Sequence, residues 1–198
     1  MIVHGHFTQT VHSGRFLTLQ KKVYDLLRKK RLRLTMRLSQ IIQKIWLLQH
    51  TSVAAAIANH PEDMVITTHV CRGNFHSTYA SEGAYDPIAP YLFAKENVDA
   101  FYLEYDDARS GGFEPLKYIP EGKKVVLGLI TTKSAELEDK NRIIRRIHDA
   151  ARYVPLENLY LSPQCGFAST EEGNKLTEDE QWAKLALVKE IAESVWGN

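Results

Sequence analysis

Two residues with metal-ligand chemistry, His69 and Cys71, lie one residue apart at the end of an apolar run. Glu104 and Cys165 follow two further apolar runs downstream. One imidazole, one carboxylate and two thiols form a donor set that suits Zn²⁺ better than Mg²⁺ or Ca²⁺, which prefer oxygen ligands. The sequence therefore predicts a zinc site built from these four residues.

Only two cysteines occur in the sequence, and both belong to this donor set. A disulfide between them is one alternative, and two buried thiols that only pack in the core are another. An intracellular chain of this size more often uses paired cysteines for metal binding or catalysis. The His-x-Cys spacing and the positions at the ends of apolar runs favour the metal site over both alternatives.

The apolar runs before these ligands predict strands, because they are short and alternate with amphipathic segments. A further run without a ligand, 125–130, ends in the polar loop Thr131-Thr132-Lys133-Ser134. The predicted strands cover residues 64–68, 98–104, 125–130 and 159–162.

Amphipathic segments after the strands predict helices near 87–96, 113–119 and 135–153. A last helix is predicted to begin at the capping box Thr177-x-x-Glu180, in which each side chain bonds the backbone N–H of the other residue. Its predicted buried residues are Trp182, Leu185, Ile191 and Val195, and those of the helix at 135–153 are Ile143, Ile144, Ile147, Ala151 and Val154.

Strand and helix alternate four times at intervals of about thirty residues, which indicates βα units in a parallel sheet. Three of the four predicted strands carry a proposed ligand at the carboxyl end, where a (β/α) barrel places its chemistry. A doubly wound sheet also binds ligands at carboxyl ends, but usually at one switch point. The spread of ligands over three strands favours the barrel type of α/β fold.

The first fifty residues differ sharply in charge from the rest of the chain. Residues 1–50 carry ten Lys or Arg against the single acid Asp25, whereas residues 51–198 hold fifteen Lys or Arg and twenty-three acids. We therefore divide the chain into a basic segment, 1–50, and a βα region, 51–198. Within the basic segment, 32–48 has the spacing of an amphipathic helix, and Arg28-Lys29-Lys30-Arg31 could contact phosphates or act as a localisation signal. A solvated face and an organellar presequence are the alternatives.

Membrane and secretory signals are not found in the sequence. No run approaches the roughly 18 apolar residues of a membrane span, and the start lacks the apolar core and cleavage site of a secretory signal. A hydrophobic share of 44% and a net charge of +1 are typical of an ordinary soluble domain. We expect a cytoplasmic protein without a membrane or nucleic-acid partner.

Three motifs carry a family resemblance: His69-Val70-Cys71-Arg72-Gly73-Asn74, Tyr102-Leu103-Glu104 and Leu161-Ser162-Pro163-Gln164-Cys165-Gly166-Phe167. They resemble the cobalamin-independent methionine synthase family, in particular its short, single-barrel branch. The resemblance implies a (β/α)8 TIM-barrel fold, of which this chain would contain only the last four βα units, the C-terminal half. It also implies that the four predicted ligands, His69, Cys71, Glu104 and Cys165, bind a catalytic Zn²⁺.

The reaction implied by the resemblance is zinc-dependent methyl transfer to the thiol of homocysteine, which yields methionine, with a methylated folate as a candidate donor. A free thiol has a pKa of about 8.5 and is mostly protonated at neutral pH, so coordination supplies the nucleophilic anion. Two thiolates and one carboxylate give the site a formal charge of minus one, which keeps the bound sulfur nucleophilic. Glu104 is the ligand expected to yield, because a carboxylate holds Zn²⁺ less firmly than a thiolate does.

Two features depart from the family pattern. The full-length synthases carry a histidine after the third of these strands, where this chain has Thr131-Thr132-Lys133-Ser134. A whole barrel needs about 250 residues, so we expect the four βα units to self-associate or to pair with a complementary half-barrel. The alternatives to homocysteine methylation are a zinc alkyltransferase acting on another thiol and an inactive remnant whose zinc is structural.

Overall fold

Four parallel strands form one sheet in the residues that the computed structural model describes, 54–197. They lie side by side in chain order as β1 (Thr67–Val70), β2 (Ala100–Glu104), β3 (Lys124–Ile130) and β4 (Leu159–Pro163). Because each neighbouring pair is parallel, every connection has to return from one end of the sheet to the other. The predicted parallel α/β architecture is confirmed.

Helical segments occupy these connections. They are α1 (Ala89–Lys95) after β1, a 3₁₀ turn (Glu114–Tyr118) after β2, α2 (Lys140–Ala150) after β3 and α3 (Glu178–Trp196) after β4. The side chain of Asp139 caps α2 by accepting a hydrogen bond from the N–H of Arg142. The predicted capping box is present at the start of α3, where Thr177 and Glu180 satisfy each other's backbone N–H groups.

The helices cover one face of the sheet and bury its apolar residues. Alternate side chains of a strand point to opposite faces, so every second residue of β2 and β3 meets the helices. Phe93 of α1 packs against Phe101 of β2 with ring centroids 5.4 Å apart. The buried core on this face includes Phe101, Leu103, Val125, Leu127, Leu129, Ile143, Ile147 and Ile191.

The first strand begins later than predicted. The sequence predicts a strand over 64–68, but β1 covers Thr67–Val70, and Met64 and Val65 are exposed. The N–H of Ile66 donates to the side chain of Asp99, and the N–H of Asp99 donates to the carbonyl of Ile66. Pairing with β2 starts at this contact, so a more distant segment decides where β1 begins.

The two long helices also differ from the prediction. The helix expected over 135–153 begins only at Lys140, because Glu138 turns back and accepts a hydrogen bond from the N–H of Thr131 at the end of β3. In α3, Trp182 was expected in the core but is 57% exposed. The buried side of α3 instead includes Lys184, whose Nζ forms an ion pair with Oε1 of Glu138 at 2.9 Å.

Some predictions lie outside the described residues. These are the basic segment 1–50 as a structural unit and the amphipathic helix over 32–48. Among residues 54–197, none of the helices has the length and apolar character that crossing a membrane requires.

Candidate metal centre

All four predicted ligands lie at the carboxyl edge of the sheet. His69 is the penultimate pairing position of β1, Cys71 follows that strand, and Glu104 is the last residue of β2. Cys165 comes two residues after the end of β4. Parallel strands place these ends on one side, so residues far apart in sequence converge there.

The ligand atoms of the four residues lie within 4.8 Å of one another. The two Sγ atoms of Cys71 and Cys165 are 3.6 Å apart. The Sγ of Cys165 lies 3.4 Å from Nε2 of His69 and 3.2 Å from Oε1 of Glu104. Nε2 of His69 and Oε1 of Glu104 are 4.0 Å apart.

These separations fit a tetrahedral zinc ion. Bonds of about 2.3 Å to sulfur and about 2.0–2.1 Å to nitrogen or oxygen imply ligand-to-ligand distances of roughly 3.4–3.8 Å. The four distances of 3.2–4.0 Å lie close to that range, all pairs lie within 4.8 Å, and the donor set is one that Zn²⁺ prefers. Glu104 is buried, whereas His69 and Cys71 are exposed, so the cluster is open on one side.

The ionisable groups of the cluster depend strongly on one another. A hydrogen bond from the Cys165 thiol, helped by His69 and the N–H of Gly73, lowers the pKa of Cys71 to about 3. The pKa of Cys165 is raised because its proton is shared with that thiolate, with burial and Glu104 acting in the same direction. Burial also raises the pKa of Glu104. A divalent cation would displace the proton that Cys165 shares with the Cys71 thiolate and would bind both sulfurs as thiolates.

His69 responds to the same thiolate. Burial disfavours the imidazolium form, but the hydrogen bond and negative charge of Cys71, together with the charge of Glu104, raise its pKa. The imidazole therefore faces the Cys71 thiolate and the Glu104 carboxyl group, both of which favour a positive charge at this position.

Arg72 and Tyr85 hydrogen-bond to the segment that carries Glu104, and the sequence analysis did not predict these contacts. The buried guanidinium of Arg72 donates to the Tyr85 hydroxyl (2.9 Å), the Glu104 carbonyl (2.9 Å) and the Gly83 carbonyl (2.8 Å). Its backbone N–H donates to Oε1 of Glu104 at 3.0 Å. Arg72 thereby ties the residue after Cys71 to the Glu104 ligand. The signal available in the sequence is an arginine two residues after β1, because a guanidinium buried there needs several acceptors.

Gly128 of β3 makes room for the chain that carries Cys165. It pairs with Glu104 in the sheet, and a Cβ atom there would lie 2.7 Å from Cα of Gln164 and 2.8 Å from the Leu103 carbonyl oxygen. Both neighbours are backbone atoms that cannot easily move. Only glycine lets β4 and its continuation pass this close to β3.

A second charged cluster lies beside the metal-ligand cluster. The buried Asp106 carboxylate pairs with Lys133 (2.5 Å) and contacts Arg109 (3.5 Å). Arg109 also pairs with Asp107 (2.6 Å), and its guanidinium lies over the ring of Tyr79, 3.7 Å from the centroid. These contacts fix the loops after β2 and β3 to each other.

Comparisons with known proteins agree with this geometry. Residues 30–194 match the family described as cobalamin-independent synthase, catalytic domain. The chain is 58% identical over 146 residues to the uncharacterized protein YxjG of Bacillus subtilis and 55% identical over 142 residues to YxjH of the same organism. These alignments cover 73% and 71% of this chain.

A solved structure is also similar. This structure is that of a Listeria monocytogenes protein described as a vitamin-B12-independent methionine synthase. It is 44% identical to this chain, covers 75% of it and superposes with a TM-score of 0.58. The chain covers 40% of that structure, and 39% and 38% of the two Bacillus proteins. It therefore spans about two fifths of the length of the relatives it matches.

Proposed function

The chain belongs to the family of cobalamin-independent synthase catalytic domains, and from that premise we propose that its His69, Cys71, Glu104 and Cys165 cluster binds Zn²⁺ for methyl transfer to a thiol. The proposed acceptor is homocysteine and the product methionine, with a methylated folate as the candidate donor. The convergence of the four ligand atoms within 4.8 Å, from strand ends up to 96 residues apart, is the observation that carries this proposal.

The chemistry of the cluster is consistent with thiol activation. Zn²⁺ held by these four residues would lower the pKa of a substrate thiol and keep it as a thiolate at neutral pH. Of the four residues, Glu104 would be the ligand most readily displaced by a substrate sulfur, because a carboxylate holds Zn²⁺ less firmly than a thiolate does, and its Oε1 already has a second partner in the N–H of Arg72. The N–H of Arg72 would remain as a hydrogen-bond donor to the Glu104 carboxylate after that carboxylate had left the metal.

The loop Thr131-Thr132-Lys133-Ser134 contains no histidine, so it offers no imidazole that could donate a proton. The loop after β3 presents Lys133, and its ammonium is held by the buried Asp106. We propose that this ion pair orders the loop and does not protonate a leaving group.

We also propose how the remaining face of the sheet is completed. The side of the sheet opposite the helices carries exposed tyrosines, Tyr102 and Tyr160, and parallel sheets are normally covered on both faces. A second set of βα units, from another copy or from a complementary half, would cover this face and close a (β/α)8 barrel. Size-exclusion chromatography at several protein concentrations tests this, and a monomer at all concentrations would contradict self-association.

The division into a basic segment, 1–50, and a βα region, 51–198, stays a proposal. Limited proteolysis followed by mass spectrometry tests it. A stable core that starts close to residue 50 is expected, and cleavage first within 67–163 would contradict it. The cytoplasmic location also stays a prediction.

Zinc content tests the metal centre directly. The purified protein should contain about one zinc per chain, and Cys71→Ser or Cys165→Ser should lose most of it. His69→Asn should weaken binding, whereas the matched change His148→Asn, at the exposed end of α2, should not. Full zinc retention by both cysteine variants would rule out the site.

Methyl transfer is measured by mass spectrometry of methionine, with homocysteine and a methylated folate as substrates. Turnover that requires zinc and homocysteine supports the proposal. Turnover with a different thiol supports the zinc alkyltransferase alternative. Stoichiometric zinc without turnover on any thiol, in any oligomeric state, supports a structural zinc.

A further inference from the structure

One amide side chain, that of Asn174, connects the loops that follow three different strands. Its Nδ2 donates to Oδ1 of Asn74 (3.0 Å) in the loop after β1 and to the Thr132 carbonyl (2.8 Å) in the loop after β3. Its Oδ1 accepts from the N–H of Ser77 at 2.8 Å. Asn174 itself lies in the loop after β4, so both ends of the amide are used in joining separate segments.

One partner of Asn174, the side chain of Asn74, connects the segments that carry the two cysteines. Asn74 lies three residues after Cys71, and its Nδ2 donates to the carbonyl of Gly166 (2.8 Å) and to Oγ of Ser169 (2.7 Å). Gly166 is the residue immediately after Cys165. The Asn74 amide therefore spans from the Cys71 loop to the Cys165 loop.

The residue before Cys165, Gln164, is also fixed by hydrogen bonds. Gln164 is buried, its Oε1 accepts from the N–H of Thr132 (2.6 Å), and its Nε2 donates to Oγ1 of Thr132 (2.9 Å). Thr132 is also the residue that Asn174 contacts. Cys165 thus lies between two residues whose positions depend on the same hydrogen-bond network.

The order of the strands explains why such a network is needed. β1 and β4 are the two outer strands, with β2 and β3 between them, and neighbouring strands lie about 4.8 Å apart. Pairing within the sheet alone does not bring the ends of β1 and β4 together. Yet Sγ of Cys71 and Sγ of Cys165 are 3.6 Å apart. Contacts between the loops therefore contribute to that separation, and the network of Asn74, Thr132, Gln164 and Asn174 links the two loops beyond the contacts of Arg72 and Gly128.

We infer that Asn174 is a positioning residue that holds the Cys71 and Cys165 loops at metal-binding separation. The inference rests on the proposed zinc site, and the geometry of the two loops can be tested with or without metal. A fully satisfied buried amide network is rigid, whereas removal of one member leaves several polar groups without partners. Residues that orient metal ligands typically contribute 10- to 100-fold to metal affinity.

The test compares Asn174→Asp with the matched control Asn141→Asp on the exposed surface of α2. The aspartate at 174 keeps the size and the Oδ1 acceptor but loses the hydrogen bonds that Nδ2 donates to Asn74 and Thr132. Competition with a chromophoric chelator should show about 10- to 100-fold weaker Zn²⁺ binding for Asn174→Asp. The control should match the unaltered protein. In the Co²⁺-loaded protein, the thiolate-to-cobalt absorption should weaken in the variant only.

A second measurement needs no metal. Excess oxidised glutathione converts the two thiols of the metal-free protein into a disulfide, with release of two reduced glutathione molecules. The ring-closing step depends on how closely the loops hold the sulfurs, so Asn174→Asp should slow it about tenfold or more. The rate of alkylation by iodoacetamide should change much less, since it reports the reactivity of each thiol and not their separation.

The outcomes separate this inference from the proposed function. Unchanged ring closure in Asn174→Asp would overturn the inference, whether or not zinc binds. Slower closure in the variant, with no zinc bound by the unaltered protein, would support the inference and reject the zinc site. If Asn174→Asp does not fold by circular dichroism, Thr132→Val removes the shared hydroxyl while keeping the side-chain shape. It is subject to the same two measurements and the same criteria.

Discussion

The two faces of the sheet have opposite character. On the helix-covered face, Phe101, Leu103 and Leu127 are buried in a continuous apolar core. On the other face, one row across the four paired strands consists of His69, Tyr102, Val126 and Tyr160. Three of these four side chains are exposed, and Val126 between the two tyrosines is buried.

Within one strand, some residues therefore stabilise the fold and others contribute to the candidate metal site. Residues that alternate along β2 contribute to the core at Leu103 and to the metal-ligand cluster at Glu104. The covered face stabilises the fold through burial of apolar area, and the open face leads to the cluster at its carboxyl edge. Substitutions on the two faces should therefore affect different measurements.

The largest loss of stability is expected on the covered face. Leu127→Ala removes a fully buried side chain at the centre of the sheet and should lower the free energy of unfolding by about 2–5 kcal/mol. Urea unfolding followed by circular dichroism measures this. Zinc affinity of the folded fraction should stay near that of the unaltered protein. A loss below about 1 kcal/mol would show that the face is less tightly packed than the complete burial of Leu127 indicates.

Gly128→Ala should affect both properties at once. The added methyl group would meet the backbone of Gln164 and Leu103, and such overpacking typically costs about 1–3 kcal/mol. Because Gln164 precedes Cys165, zinc affinity should fall as well. Gly122→Ala, where the added Cβ has no neighbour within 4 Å, serves as the control for added bulk. Its positive φ of 81° costs some stability but should leave zinc affinity unchanged.

Glu96 is a buried acid on the covered side, and it should make stability depend on pH. Burial raises its pKa to about 7, against a hydrogen bond with Thr68 that lowers it, and Oε2 has no hydrogen-bond partner among residues 54–197. The folded state then holds this proton more tightly than the unfolded state does. Stability should therefore fall as pH rises from about 4.5 to about 7 and should not fall further from this cause above that pH.

Glu96→Gln removes the titrating group and so should flatten that decline. The thermal midpoint of the variant should exceed that of the unaltered protein by more at pH 8 than at pH 5. Glu157→Gln, at an exposed position, is the matched control. An equal difference at both pH values would contradict the buried-acid explanation.

The smallest effect is expected on the open face. Tyr160 is 42% exposed, so Tyr160→Ala should change the free energy of unfolding by less than about 1 kcal/mol. The same urea titration as for Leu127→Ala provides the measurement. A loss above 2 kcal/mol that depends on protein concentration would mean that another set of βα units covers this face in solution.

The strand-end positions of His69, Cys71, Glu104 and Cys165 and the parallel pairing of the strands were predictable from local sequence. Each depends on properties within a short segment: the donor chemistry of His69, Cys71, Glu104 and Cys165, the apolar runs before them and the capping box at Thr177. The β3 and β4 segments were predicted within one residue of their observed ends. Local patterns succeed there because a buried strand needs an uninterrupted apolar run.

Contacts between distant segments decided the rest. The start of β1 depends on Asp99, and the buried face of α3 depends on Glu138, which pairs with Lys184 and leaves Trp182 outside. Asn174 gains its role only when three loops meet around it. The sequence by itself determined which four residues have the donor chemistry that a metal site requires. Only the tertiary structure decided which polar side chains hold them in place, because a hydrogen-bond partner a hundred residues away leaves no periodic signal in the chain.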